Sequence, residues 1–172
     1  DIEVLRPITR NPENIRQIES IEAAAGRYAA AMESYITTDK ALEAAGRQMD
    51  SNAAAYVENS ASFLASQEMK MEMEFNVAGA DLSERLRKIS LVNDIIDSGN
   101  EARVMNFRAQ ASQEAELIAQ AKEQLLAVSF MTKDLRGITR EADDLRQIAA
   151  VEEAAKGYAG AIETYLGNYL SL

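Results

Sequence analysis

The sequence predicts an all-α protein: an antiparallel four-helix bundle with one very long helix that runs on into a second, incomplete bundle module. Three observations point there. Only two Pro (Pro7, Pro12) and eight Gly interrupt the 172 residues, and the stretches between them are rich in Ala, Glu and Gln, which favour helix. Large apolar residues recur every seven positions at Ile21, Tyr28, Tyr35, Leu42, Met49, Tyr56 and Phe63, the period of helices wound on partners. The clusters of β-branched and aromatic residues that mark strands are missing.

Residues 1–9 read as the tail of an earlier helix, stopped between Thr9 and Pro12. The first long helix starts near Asn11, with Pro12 at a first-turn position and Glu13 beside it, a favourable start. It meets no strong break until Phe75, roughly 60 residues or about 90 Å. Between its large seam residues lie Ala24, Ala31 and Ala45, and further along Asn52, Asn59 and Ser66. Asn76 to Ala80 forms a turn, and Asp81 is placed to cap a second helix over 82–110. The seam of that helix is Leu82, Leu86, Ile89, Ile96, Arg103 and Phe107. A third helix covers 114–138, with Leu117, Ile118, Leu125, Val128, Met131, Leu135 and Ile138 inward. A fourth begins near Asp143 or Asp144 and runs to the chain end on Leu145, Ile148, Val151, Ala155, Tyr158, Ile162, Tyr165, Tyr169 and Leu172.

Short turns make neighbouring helices antiparallel. The last three helices are each about half as long as the first, so they cover only its upper half. The expected division is therefore 1–43, part of one helical module, and 44–172, a complete four-helix bundle. The lower half of the long helix keeps an apolar stripe (Ile15, Ile18, Ile21, Tyr28, Met32, Tyr35). A stripe of that size requires partner helices or a second chain, and predicts a homodimer.

Charge and composition narrow the chemistry. The net charge of −10 is the opposite of what phosphate backbones and anionic lipid surfaces attract. The chain has no His and no Cys, which removes the usual zinc, haem and iron–sulfur ligands, thiol nucleophiles and imidazole acid–base chemistry. The acids Glu68, Glu72 and Glu74 lie at helical spacing beside Lys70 without a Gly-containing ligand loop, so they read as a solvated face and not a calcium site. Met69, Met71 and Met73 read as gap-filling residues. No paired-carboxylate, Ser/Lys or phosphate-loop arrangement stands out. The expectation is a binding module that is not an enzyme and holds no metal or cofactor.

The polar residues on the seams are the candidates for binding. Arg103 follows Ile96 by seven positions and precedes Phe107 by four, and a guanidinium buried there requires a carboxylate from the protein or from a ligand. Counting along the helices from their turns brings Asn52, Tyr56 and Tyr158 to the level of Arg103, with Asn59 one heptad further. A charge, amides and two hydroxyls suit a small carboxylate. The same residues are also consistent with a structural ion pair, register-setting asparagines and core tyrosines with wet tips. Tyr28 and Tyr35 repeat Tyr158 and Tyr165, which suggests a matching site near Arg16 and Arg27 or, more plainly, further core.

The chain also repeats itself. Residues 5–35 (LRPITRNPENIRQIESIEAAAGRYAAAMESY) and 135–165 (LRGITREADDLRQIAAVEEAAKGYAGAIETY) agree at about half of their aligned positions, each being a helix end, a polar turn and a helix start. This double pattern, with Arg-Gln-Ile and a following Tyr in each copy, resembles the helical bimodular sensor domain of bacterial methyl-accepting chemotaxis receptors and some sensor kinases. The turn Asn11-Pro12-Glu13-Asn14 and the stretch Gly99-Asn100-Glu101-Ala102-Arg103 share in the resemblance. It implies two stacked four-helix modules sharing two long helices, of which this chain holds the membrane-distal one. It further implies a periplasmic domain of an inner-membrane receptor, and a ligand such as acetate or a tricarboxylic-acid-cycle intermediate. With Asp1 in place of Met and no apolar run long enough to cross a bilayer, the chain reads as a piece of such a receptor. A sensor-kinase domain, and a structural or partner-binding bundle without a small ligand, remain open beside the chemoreceptor.

Overall fold

The computed structural model describes residue 4 and residues 6–77, 82–112 and 114–171. Among them the protein is all-helical: a 3-10 turn at Arg6–Ile8 and four α-helices, α1 (Pro12–Phe75), α2 (Ser83–Ser112), α3 (Ala115–Gly137) and α4 (Ala142–Tyr169). Asp81, the expected cap of α2, lies outside the described residues, as do Val77's neighbours Ala78 to Ala80, Leu172, and much of the expected helix tail over 1–9. The chain divides into two compact units, one up to Ala41 and one over Leu42–Ser171.

In the first unit the start of α1 is set by local chemistry. The Asn11 side-chain oxygen accepts the backbone N–H of Glu13 at 2.9 Å, satisfying one of the free donors of a helix start. Arg6 reaches across the turn to Glu22 at 2.9 Å and Glu19 at 3.4 Å. Ile18 is buried, whereas Ile21, Tyr28, Met32, Tyr35 and Ile36 are exposed.

In the second unit the packing of α1 follows Met49, Ala53, Tyr56, Ser60, Phe63 and Gln67, all buried. The large positions agree with the seven-residue seam. The intervening positions are corrected: Ala53, Ser60 and Gln67 are inside, and Asn52, Asn59 and Ser66 sit half-buried one step around the helix. Both choices keep a three–four spacing, and the face with alanine in it lets neighbours approach more closely.

The correction is larger on α2. Its buried face is Arg85, Lys88, Val92, Ile95, Ser98, Gly99, Ala102, Asn106 and Ala109. Leu86, Arg103 and Phe107 of the expected seam are exposed, and Ile89 and Ile96 are half-buried. The reason lies in the partner. The Tyr56 ring lies against Gly99, so close that a Cβ there would come within 2.0 Å of Cε1. The Tyr56 hydroxyl donates to the carbonyl of Ile95. A helix with Gly99, Ala102 and Ala109 on one side can press against an aromatic ring where a leucine face cannot.

On α3 the buried residues are Ile118, Ala121, Leu125, Val128, Thr132 and Leu135, and on α4 Asp144, Ile148, Val151, Ala155, Tyr158, Ala159, Ala161 and Ile162. These match the expected apolar faces. The core has two layers. One is bulky (Tyr56, Phe63, Val92, Ile95, Val128, Leu135, Ile148, Val151). The other is rich in alanine (Ala53, Ala102, Ala109, Ala121, Ala159, Ala161) with Met49, Leu125, Tyr158 and Ile162.

Beyond the bulky layer the interior turns ionic. Arg85, only 6% exposed, donates to Gln67 Oε1 at 2.6 Å and pairs with both oxygens of Glu74. Lys70 bridges Glu141 and the fully buried Asp144 at 2.5 and 2.6 Å. Lys88, also buried, pairs with Glu84 at 2.8 Å. The Arg85 bond holds the Glu74 carboxyl below its ordinary range, and the Lys70 bond does the same for Glu141. Burial draws the Lys70 ammonium down, but the Asp144 and Glu141 carboxylates overcome it and leave it raised. The expectation of a solvated acidic face holds for Glu68 and Glu72, which are exposed, and not for Glu74. A buried cation is tolerable only when paired, and three helices and the α3–α4 turn supply the carboxylates here.

Candidate functional site

The five residues expected to converge do so only in part. Tyr56 is fully buried, with its hydroxyl engaged by the Ile95 carbonyl, and burial pushes its ionisation up. The Asn52 amide donates to the Gly157 carbonyl at 2.8 Å and accepts from Gln48 at 3.1 Å, so it ties α1 to α4. Asn59 is half-buried and is not among the residues that line the cleft shared by Arg103 and Tyr158. The polar groups of Asn52 and Tyr56 are thus engaged by the protein's own backbone carbonyls.

Arg103 and Tyr158 do share a site, although Arg103 is exposed and not the buried cation that the seam suggested. They line a cleft of about 360 Å³ between α1, α2 and α4, together with Asp50, Asn106 and Gln110. Its apolar wall is Met49, Ala53, Val57 and Phe107. One turn of α2 separates Asn106, on the buried side, from Arg103, on the rim. That offset follows from the face α2 turns inward: with Ala102 and Asn106 in the core, Arg103 falls at the cleft edge.

The polar groups of this cleft are incompletely matched. Asn106 is 3% exposed and donates to the Tyr158 hydroxyl oxygen at 3.0 Å. Its own Oδ1 has no hydrogen-bond partner, and an unsatisfied buried acceptor is costly. The Tyr158 oxygen accepts from Asn106, which leaves the hydroxyl proton able to donate elsewhere. Burial raises the ionisation of Tyr158; Asn106 and the charge of Arg103 oppose this, and Asp50 reinforces it. Among the described residues neither Arg103 nor Asp50 belongs to an ion pair, in contrast to the network around Arg85.

Such a cleft has groups that can bind a small polar ligand. It offers one cation, one carboxylate, a hydroxyl donor and amides, with no nucleophile held against a base. Among the described residues there is no group of three or more acidic side chains placed to hold a metal ion, and no helix is long and apolar enough to cross a membrane. Asp50, Asn106 and Gln110 were missed by sequence reasoning. Asn106 was findable in principle, since it continues the small-residue spacing of Gly99, Ala102 and Ala109 on α2. No protein-family model, curated protein or solved structure matches the chain, so the likeness to helical bimodular sensors rests on the residues quoted above alone.

Proposed function

We propose that the chain is an extracytoplasmic ligand-sensing module of a bacterial membrane receptor, a chemoreceptor of the helical bimodular kind, that recognises a small organic anion. In this reading the second unit is an antiparallel four-helix bundle, the membrane-distal module, and α1 continues into an incomplete second module. The parent is a periplasmic receptor anchored in the inner membrane, and the module binds without catalysing a reaction.

One observation carries the reading. Arg103 faces the cleft without a carboxylate partner, beside a buried amide and a hydroxyl whose hydrogen bonding is unfinished. A carboxylate there gains charge-assisted bonds that the protein itself leaves open. The cleft takes residues from α1, α2 and α4, so a ligand that grips all three favours one arrangement of those helices over another. A small shift of α1 relative to α4 is then the signal. A second reading, a bundle that serves structure or a protein partner, is favoured by Asn52 and Tyr56, whose polar groups are occupied by backbone carbonyls.

The test is a thermal-shift screen of the chain against small organic acids. Ligand at 100 times its Kd stabilises by about 2.7 kcal/mol, about 5–10 °C in Tm for a domain of this size. Arg103→Ala removes an exposed side chain and leaves the unliganded Tm unchanged while abolishing the shift. An Arg103→Ala protein that keeps the wild-type response refutes the site.

A further inference from the structure

The cleft carries two opposite charges, and the pair is more specific than the cation alone. Arg103 and Asp50 both line it and do not pair with each other or with any other described residue. Elsewhere in the second unit close opposite charges do pair, as Lys122 with Glu163 at 3.1 Å and Arg136 with Glu152 at 3.0 Å. Asn106, only 3% exposed, lines the same cleft with its Oδ1 unpartnered. Beside it is the Tyr158 hydroxyl, whose proton is free to donate. The donors, Arg103 and Tyr158, match a carboxylate. The acceptors, Asp50 and Asn106 Oδ1, match an ammonium group. A simple organic anion satisfies the first set and leaves the second unmatched.

Resting on the reading of this cleft as a ligand site, we propose that its ligand is a zwitterion, an α-amino acid with an apolar side chain. The carboxylate lies against Arg103 and the Tyr158 hydroxyl, and the ammonium against Asp50 and Asn106. The side chain lies on the wall of Met49, Ala53, Val57 and Phe107, where Phe107 is 58% exposed without a ligand and gains apolar cover when one binds.

Calorimetric titration of the chain with L-leucine, 4-methylpentanoate and 3-methylbutylamine separates the contributions, since the second lacks the amine and the third the carboxylate. L-Leucine is expected to bind, with each truncated probe weaker by about tenfold or more. Asp50→Asn should weaken L-leucine by about tenfold and leave 4-methylpentanoate unchanged, and Arg103→Ala should weaken both. Binding of 4-methylpentanoate as tight as that of L-leucine, or an Asp50→Asn protein with wild-type affinity for L-leucine, overturns the zwitterion and leaves the anion site standing. The same holds if none of the three binds while another organic acid does so through Arg103. If neither these probes nor any organic acid binds, both the zwitterion and the ligand-site reading fall.

Discussion

Replacing Gly99 with alanine probes the place where the Tyr56 ring of α1 meets the backbone of α2. A methyl at Gly99 meets Tyr56 Cε1 at 2.0 Å, Cδ1 at 2.7 Å and Cζ at 3.1 Å. The ring cannot yield by a small rotation: Tyr56 is fully buried, and its hydroxyl is fixed to the Ile95 carbonyl. Overpacking of this kind costs about 1–3 kcal/mol, and a displaced Tyr56 leaves a buried hydroxyl unsatisfied for about 1–3 kcal/mol more. Against this, alanine in a helix interior is favoured over glycine by about 1 kcal/mol. The net expectation is a loss of about 1–5 kcal/mol, read by urea unfolding with an unchanged m value. In a Tyr56→Ala background the clash is gone and only the helix preference remains, so the same Gly99→Ala change should then stabilise by about 1 kcal/mol. The sign reversal in this double-mutant cycle is the diagnostic result. Gly99→Ala that stabilises both backgrounds equally would mean that Tyr56 does not lie on Gly99, and that α2 turns a different face inward.

Two further outcomes follow from the ionic cluster and the uncovered stripe. Glu74 and Glu141 have folded-state ionisation below their ordinary range through Arg85 and Lys70. The stability they contribute is therefore present above about pH 4.5 and lost as pH falls through the lowered folded values. Both side chains are more than a third exposed, so the effect is modest; a Glu74→Gln protein should lose less Tm than wild type between about pH 5.5 and 3.5, and parallel curves would contradict this. Self-association through α1 is expected from the exposed Ile21, Tyr28 and Met32. Sedimentation should show a concentration-dependent dimer that Tyr28→Glu with Met32→Glu abolishes, and a monomer at all concentrations counts against it.

Element type was legible because it rests on local chemistry and period. The scarcity of Pro and Gly, the polar turns and the three–four spacing place all four helices, and the faces of α3 and α4 come out as read: Ile118, Leu125, Val128 and Leu135, then Ile148, Val151, Tyr158 and Ile162. The face of α2 was not legible. Leu86, Ile89, Ile96 and Phe107 are more apolar than Arg85, Lys88, Gly99 and Asn106, so a rule that buries the greasier stripe selects the wrong one. What decides is non-local. Gly99 is inside because Tyr56 of α1 needs the space, and Arg85 is inside because Glu74 and Gln67 of α1 meet it. Arg103 was singled out for the wrong reason, as a buried charge, and it lies at the cleft rim instead. The rest of the cleft was invisible for the same cause: Asn106 enters it only once α2 has turned.

The internal repeat gives the uncovered stripe its meaning. Ile148, Val151, Tyr158 and Ile162 of the second copy are at most 2% exposed, buried against the other helices of their unit. The matching positions of the first copy are Ile18, Ile21, Tyr28 and Met32. Ile18 is buried, but Ile21 is 54%, Tyr28 69% and Met32 39% exposed. Two stretches with the same spacing of apolar residues thus differ in what lies over them and not in what they are built to meet. A tyrosine kept in both copies at the same helical position asks for the same surroundings: apolar neighbours for the ring and a polar group for the hydroxyl, which Asn106 supplies to Tyr158. The covering of the first copy should therefore be helical, rich in small residues as α2 is, and should bring an amide or comparable polar group to Tyr28. This is a stricter demand than burial of grease, because a partner that lacks such a group leaves a buried hydroxyl unsatisfied.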